Sequence, residues 1–249
     1  IGYLATCNWS TSTVIGYLSE ATAANQIMLG RSSEFVEMPG TTAAGSLITA
    51  ADIYINDVRA GVGNSSGSSN TCFGNNSLFT ASTAQNNSAF GKDALKLCSG
   101  TGTTTGYSNN AFGAFSLQAL TSGIRNVGIG TYSLGQSGAI ALNTGNRNTG
   151  CGYAAGYVFS GAASDNTFVG SHKDNATPYT TGSTNTLIGS QSILASGANI
   201  LVSVNASTTL GAFTSLGGFS NSTAIGGGTS TSVPGAVCSA ANQIMLGRS

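Results

Sequence analysis

The residues able to do chemistry in this chain are few and scattered. The single histidine, His172, sits in a Ser171-His-Lys-Asp174 stretch. As a general base it would need a nucleophile to deprotonate and a third group to orient it. Serine is abundant, but no serine is set apart by its neighbours. The eight carboxylates are dispersed, and no pair is suggested at the separation glycosidases use. Gly61-Val-Gly63 and Gly128-Ile-Gly130 lack the third glycine, the helix and the distal acid of a phosphate-binding loop. Cys7, Cys72, Cys98, Cys151 and Cys238 are odd in number and include no CxxC pair, so metal spacing is absent. They read as buried free thiols acting as small hydrophobes, with disulfides the alternative. The expectation is no enzyme, no cofactor and no metal.

Composition narrows the classes further. Lys+Arg and Asp+Glu are 8 each, and no basic patch is visible, which argues against nucleic-acid binding. No apolar run approaches the ~18 residues of a membrane span, so no membrane insertion is expected. Charged residues make up 6% of the chain, against about 25% in ordinary globular proteins. Disorder is the rival reading for so much Gly and Ser. A hydrophobic content of 40%, placed periodically, opposes it. A threonine surface that orders ice would need Thr at fixed positions on one flat face, whereas Thr here is dense in spacers of unequal length.

The periodicity comes from one five-residue phrase. Its clearest copy is Asn166-Thr-Phe-Val-Gly170, and it recurs from Asn70, Asn87, Asn109, Asn126, Asn148 and Asn185. Looser copies begin at Ser12, Ser207 and Ser222. The closing glycines from Gly74 to Gly226 are 17, 22, 17, 22, 18, 19, 22 and 15 residues apart. Fixed phrases with variable spacers predict an all-β repeat solenoid, a parallel β-roll. A β-branched or aromatic residue before Gly predicts a short strand closed by a turn. The position before Gly is read as the core: Phe73, Phe90, Phe112, Ile129, Val169, Ile188, Leu210 and Ile225. The small residue preceding it (Ala89, Ala111, Gly128) is read as the face where chains pack together. A second apolar position follows Gly by four residues at Leu78, Leu95, Leu117, Leu134 and Ile193, and predicts a second strand per unit. Asn70, Asn87, Asn109, Asn126, Asn148, Asn166 and Asn185 are expected either to form an amide ladder or simply to favour turns.

Three segments are expected. Residues 1–32 end a preceding solenoid unit, 33–63 form a β connector, and 64–249 carry the repeats. The nine residues Ala24–Ser32 recur unchanged as Ala241–Ser249 at an offset of 217. That match predicts a longer tandem array of which this chain holds one period and an overlap.

The phrase Asn-Ser/Thr-x-apolar-Gly followed by Ala/Ser-Leu resembles the head repeats of trimeric autotransporter adhesins. Asp52-Ile-Tyr-Ile-Asn-Asp-Val-Arg-Ala-Gly-Val-Gly63 leading into Asn70–Leu78 resembles tail-fibre-type proteins of phages and large algal viruses. Asn25-Gln-Ile-Met-Leu-Gly-Arg31 with Met38-Pro-Gly40 shares that resemblance. It implies a left-handed roll, a homotrimer and an extracellular or virion-surface fibre that carries host attachment. The implied partners are further copies of the chain and a host glycan or receptor. The irregular spacers depart from the more uniform adhesin repeat. The alternative is a monomeric solenoid that binds glycans along its side through Tyr107, Tyr132, Tyr153, Tyr157 and Tyr179.

Overall fold

The computed structural model describes residues 3–25, 27–29, 52–63, 69–80, 83–100, 105–135, 144–157, 161–171, 182–191, 204–229 and 235–247. His172, Tyr179, Ile193 and Met38–Gly40 lie outside these residues. The chain divides into two units, 1–48 and 49–249, with the division inside the expected 33–63 connector. In the first unit, β1 (Thr13–Ile15) pairs in parallel with β2 (Ile27–Leu29).

The second unit opens with a hairpin. β3 (Ile53–Ile55) and β4 (Val58–Gly61) are antiparallel. Asn56 and Asp57 both have positive φ, 46° and 63°, as a two-residue turn matched to strand twist requires. β4 lies antiparallel on β5 (Thr71–Gly74). From β5 onward all pairing is parallel. The succession is β6 (Ser88–Phe90), β7 (Asn110–Phe112), β8 (Val127–Ile129), β9 (Thr149–Cys151) and β10 (Thr167–Val169). β11 (Thr186–Ile188), β12 (Thr208–Leu210), β13 (Thr223–Ile225) and β14 (Ile244–Leu246) complete it. Each repeat phrase supplies one strand, and sequence neighbours are sheet neighbours. This is a parallel β-solenoid, all-β, with no helix among the described residues.

The leading Asn side chains run as a ladder through its interior. Each Oδ1 accepts from the backbone N–H and the Nδ2 of the next Asn. Asn126 Oδ1, for example, accepts from Asn148 N at 2.9 Å and Asn148 Nδ2 at 3.0 Å. The second Nδ2 proton goes to a spacer carbonyl, from Asn126 to Gly145 O at 2.8 Å. The pattern links Asn70, Asn87, Asn109, Asn126, Asn148, Asn166 and Asn185 in one line. Ser207 and Ser222 continue it with Oγ in place of the amide. These Asn are buried, and each pairing satisfies groups that would otherwise cost about 1–3 kcal/mol apiece.

Core packing reverses one sequence expectation. Phe73, Phe90, Phe112, Ile129, Val169, Ile188, Leu210 and Ile225 are exposed, not core. Ala89 and Ala111 are fully buried inside the coil, and Gly128 stands in register with Ala111 on the same inward column, so this face cannot pack chain on chain. The cause is volume. Leu78, Leu95, Leu117 and Leu134 enter the core from the turn and are fully or almost fully buried. The strand's inward position then has space only for a small residue: a Cβ on Gly128 would meet Ser116 Oγ at 2.5 Å and Leu117 Cγ at 3.1 Å. Where the turn offers Gly156 instead of Leu, Phe168 fills the gap from the strand, and a Cβ on Gly156 would lie 2.7 Å from its ring. The two positions trade volume as a packed interior demands.

The leucine slot is also a turn and not the expected second strand. Leu78, Leu95, Leu117 and Leu134 have φ of 46–49°, so the chain bends there while its N–H still bonds to the next coil. The phrase-closing glycines meet one another. At Gly113, φ is +133° and an added Cβ would lie 2.6 Å from the Gly130 carbonyl. Only glycine permits that φ and that approach together.

Two substitutions test this interior. Asn126→Ala removes the ladder's acceptor for Asn148 and should destabilise by about 3 kcal/mol or more in denaturant unfolding. Thr209 Oγ1 is buried with no hydrogen-bond partner. Thr209→Val keeps the shape and should stabilise by about 1 kcal/mol. A neutral Asn126→Ala would contradict the ladder's role.

Candidate interaction surface

Strand alternation puts the residue before Gly and the residue two earlier on the same outward face. Parallel register then stacks like on like. Phe73, Phe90, Phe112, Ile129, Cys151, Val169, Ile188, Leu210, Ile225 and Leu246 stand in one unbroken column. The eight residues expected as core are 37–53% exposed, and Leu246 is 68% exposed. Phe90 and Phe112 stack with ring centroids 5.0 Å apart and planes within 4°. At roughly 150–250 Å² per side chain, the column leaves on the order of 700 Å² of apolar surface in water. The largest apolar patch on a typical monomer is about 300–600 Å².

Beside this column runs a second. Thr149, Thr167, Thr186, Thr208 and Thr223 are mutually in register. Threonine is therefore not confined to spacers. Its hydroxyls and methyls edge the apolar column along the later coils, on the same outward face.

The tyrosines weighed for sugar stacking are largely occupied. Lys92 Nζ lies 5.7 Å from the Phe115 ring centre, and Phe115 stacks on Tyr132 at 4.8 Å. Tyr153 and Tyr157 meet Tyr132 edge-on at 6.5 and 5.9 Å. Arg125 covers Tyr107 at 5.7 Å. A sugar needs a free ring face, and these contacts use the faces of Tyr107 and Tyr132. The sequence did not single out Phe115, whose place beside Tyr132 follows from the coil register.

The titratable groups offer little chemistry. Among the described residues no cluster of three His, Cys, Asp or Glu could hold a metal. All five cysteines are free. Cys72, Cys98 and Cys238 are buried, whereas Cys7 and Cys151 are exposed, which corrects the expectation of burial for those two. Cys151 is exposed because it occupies the outward position before Gly152. Burial pushes the Cys98 thiol up to about 12. The Arg147 guanidinium, hydrogen-bonded through Nη2 to Asp165 Oδ2 at 2.7 Å, holds the Asp165 carboxyl below the usual range. That pair is exposed and adds little to stability.

Thiol labelling of the native protein at neutral pH should therefore modify Cys7 and spare Cys98. Peptide mapping after alkylation reads this directly. Rapid labelling of Cys98 in the folded chain would contradict the packing described.

No protein-family model matches the chain, and neither a curated protein nor a solved structure matches it.

Proposed function

We propose that this chain is a structural subunit of a fibre on a virion or cell surface, assembled as a homotrimer through its outward apolar column. The carrying observation is that column: apolar residues in register over ten successive strands, left more than a third exposed. A stable interface buries about 800 Å² per partner, which is the scale of the exposed patch. The rest of the coil suits a stiff spacer. Each coil repeats the same internal hydrogen bonds, so the cross-section is kept along the stack. Between the phrases the sequence is rich in Ser, Thr and Asn and poor in charge. Such a rod would hold a host-attachment element away from the particle. The left-handed roll and the threefold assembly rest on the resemblance to adhesin heads and tail fibres.

A second reading is favoured by one observation, the in-register threonine column. A regular hydroxyl and methyl array could order water or ice on a monomeric solenoid. The bulky apolar column beside it suits protein packing better than a hydration lattice. An ice-recrystallisation assay without effect would remove the second reading. Side-on glycan binding is less supported, because ring faces of Tyr107 and Tyr132 are already covered.

Light scattering on the full chain should give three times the chain mass. Phe112→Arg, on the outward column, should give a folded monomer, whereas Ala111→Arg, one residue earlier and fully buried, should fail to fold. In a Cys7→Ser background, a short bismaleimide should join Cys151 to Cys151 between chains. A folded wild-type monomer, or a trimer unaffected by Phe112→Arg, would refute the assembly surface.

A further inference from the structure

The bonding scheme of the coils changes at both ends of the described stack, at β5 and at β14. Between coils, the Leu N–H donates to the carbonyl three residues after the next coil's Gly. Leu78 N bonds to Ala94 O, Leu95 N to Ser116 O, Leu117 N to Ser133 O and Leu134 N to Ala155 O, at 2.9–3.1 Å. The equivalent carbonyl of the first coil is Ser77 O, and there the donor is a side chain. Arg59 Nη1 donates to Ser77 O at 3.3 Å and Leu78 O at 3.4 Å. Arg59 is 4% exposed and pairs with the buried Asp52 at 3.3 Å. Asp52 is fixed in turn by Val62 N at 2.6 Å and Gly63 N at 3.0 Å. Meanwhile β4 covers the edge of β5 in the antiparallel sense that the other coils never use. The hairpin thus supplies, by another chemistry, what a preceding coil would supply.

The far end is finished by a different device. Gln243 occupies the ladder position before β14, in register with Ser222. Its N–H takes up the ladder from Ser222 Oγ at 3.4 Å. Its Oε1 turns back to its own spacer, accepting from Ser239 N at 2.7 Å and Ala240 N at 3.3 Å. An Asn here would offer Oδ1 to a further coil; the extra methylene of Gln lets it bond locally instead. The recurring phrase behaves alike in the first unit. Asn25 N bonds to Ser10 O at 3.3 Å, as Asn242 N bonds to Ser220 O at 3.2 Å. Asn25 and Asn242 also share a φ of about 60°. β2, which follows Asn25, pairs only with β1 among the described residues.

We propose that the Asp52–Arg59 hairpin and Gln243 are start and stop caps that set the length of the solenoid. They keep the last coil of one copy from continuing into the first coil of a second copy. Every junction from β5 to β14 pairs parallel strands in one register, so an uncapped β5 edge and an uncapped β14 edge would complete that same strand pairing between copies. Repeat proteins need distinct terminal caps for this reason, and bare strand edges invite added strands. Neighbouring units then meet as separate modules and do not fuse into one sheet.

The test opens both ends in the full chain. Arg59→Glu places a carboxylate beside buried Asp52, and Gln243→Asn restores the ladder amide. The double variant should show a scattering mass that rises with concentration in whole multiples of the wild-type particle, and particles that lengthen in micrographs. Wild type should keep one mass. Adding Ile244→Pro, which removes a backbone N–H on β14 without touching the apolar column, should abolish the growth. If Arg59→Glu prevents folding, Asp52→Asn with Arg59→Met and Gln243→Asn opens the same end without a like-charge pair. A folded double variant that keeps the wild-type mass at all concentrations would overturn the proposal, as would growth that ignores Ile244→Pro. The wild-type mass is read first, so a failed trimer assignment is separable from a failed cap.

Discussion

Everything in this molecule depends on a buried amide that must find partners. An Asn side chain brings one acceptor and two donors into an interior where unpaired polar groups are costly. The solenoid meets that demand by repetition. Each Oδ1 takes two protons from the next Asn, and each Nδ2 gives one proton forward to a spacer carbonyl and one back along the line. The bonds run along the stack, so a coil displaced by one residue would lose them all. Register is therefore held by side chains as well as by the sheet. Spacers of unequal length are tolerated because the ladder residue, the strand and the closing Gly return to the same place in every coil.

The narrow cross-section follows from the same constraint. With Asn on one wall and a Leu entering from the turn, the interior has space for a methyl group or nothing at the middle of the strand. Larger apolar residues are left to face outward, where register makes them a continuous column. The exchange between Gly156 and Phe168 shows that the limit is volume and not residue type: when the turn gives up its Leu, the strand takes a ring. Where volume forbids this, the outward column stays in water, and the proposed fibre assembly is built on that column.

The sequence was informative wherever a residue type has one backbone or bonding consequence. Asn at a fixed offset offered a ladder beside a plain turn role, Gly marked the turn that closes each strand, and the recurring phrase announced the parallel stack. It misled where size was taken as a sign of burial. Nothing local to Asn109–Gly113 tells whether Ala111 or Phe112 faces inward, because alternation fixes only that they face opposite ways. The answer lies four residues after Gly, at Leu117, whose volume is already inside. The end caps were hidden for a similar reason. Arg59 sits in the expected β connector, but its partners at Ser77 and Leu78 appear only once the first coil is built. Gln243 differs from the ladder Asn by one methylene, and that difference matters only beside the amides of Ser239 and Ala240.

The central claim is that one continuous amide ladder holds the coils in register. Residue-resolved hydrogen exchange of the native protein tests it most directly. The backbone amides of Asn87, Asn109, Asn126, Asn148, Asn166 and Asn185, each donating to the preceding Asn side chain, should be protected as a block and exchange together by global opening. Exchange of these amides at the rate of the exposed spacers, or one coil at a time with no common limit, would contradict it.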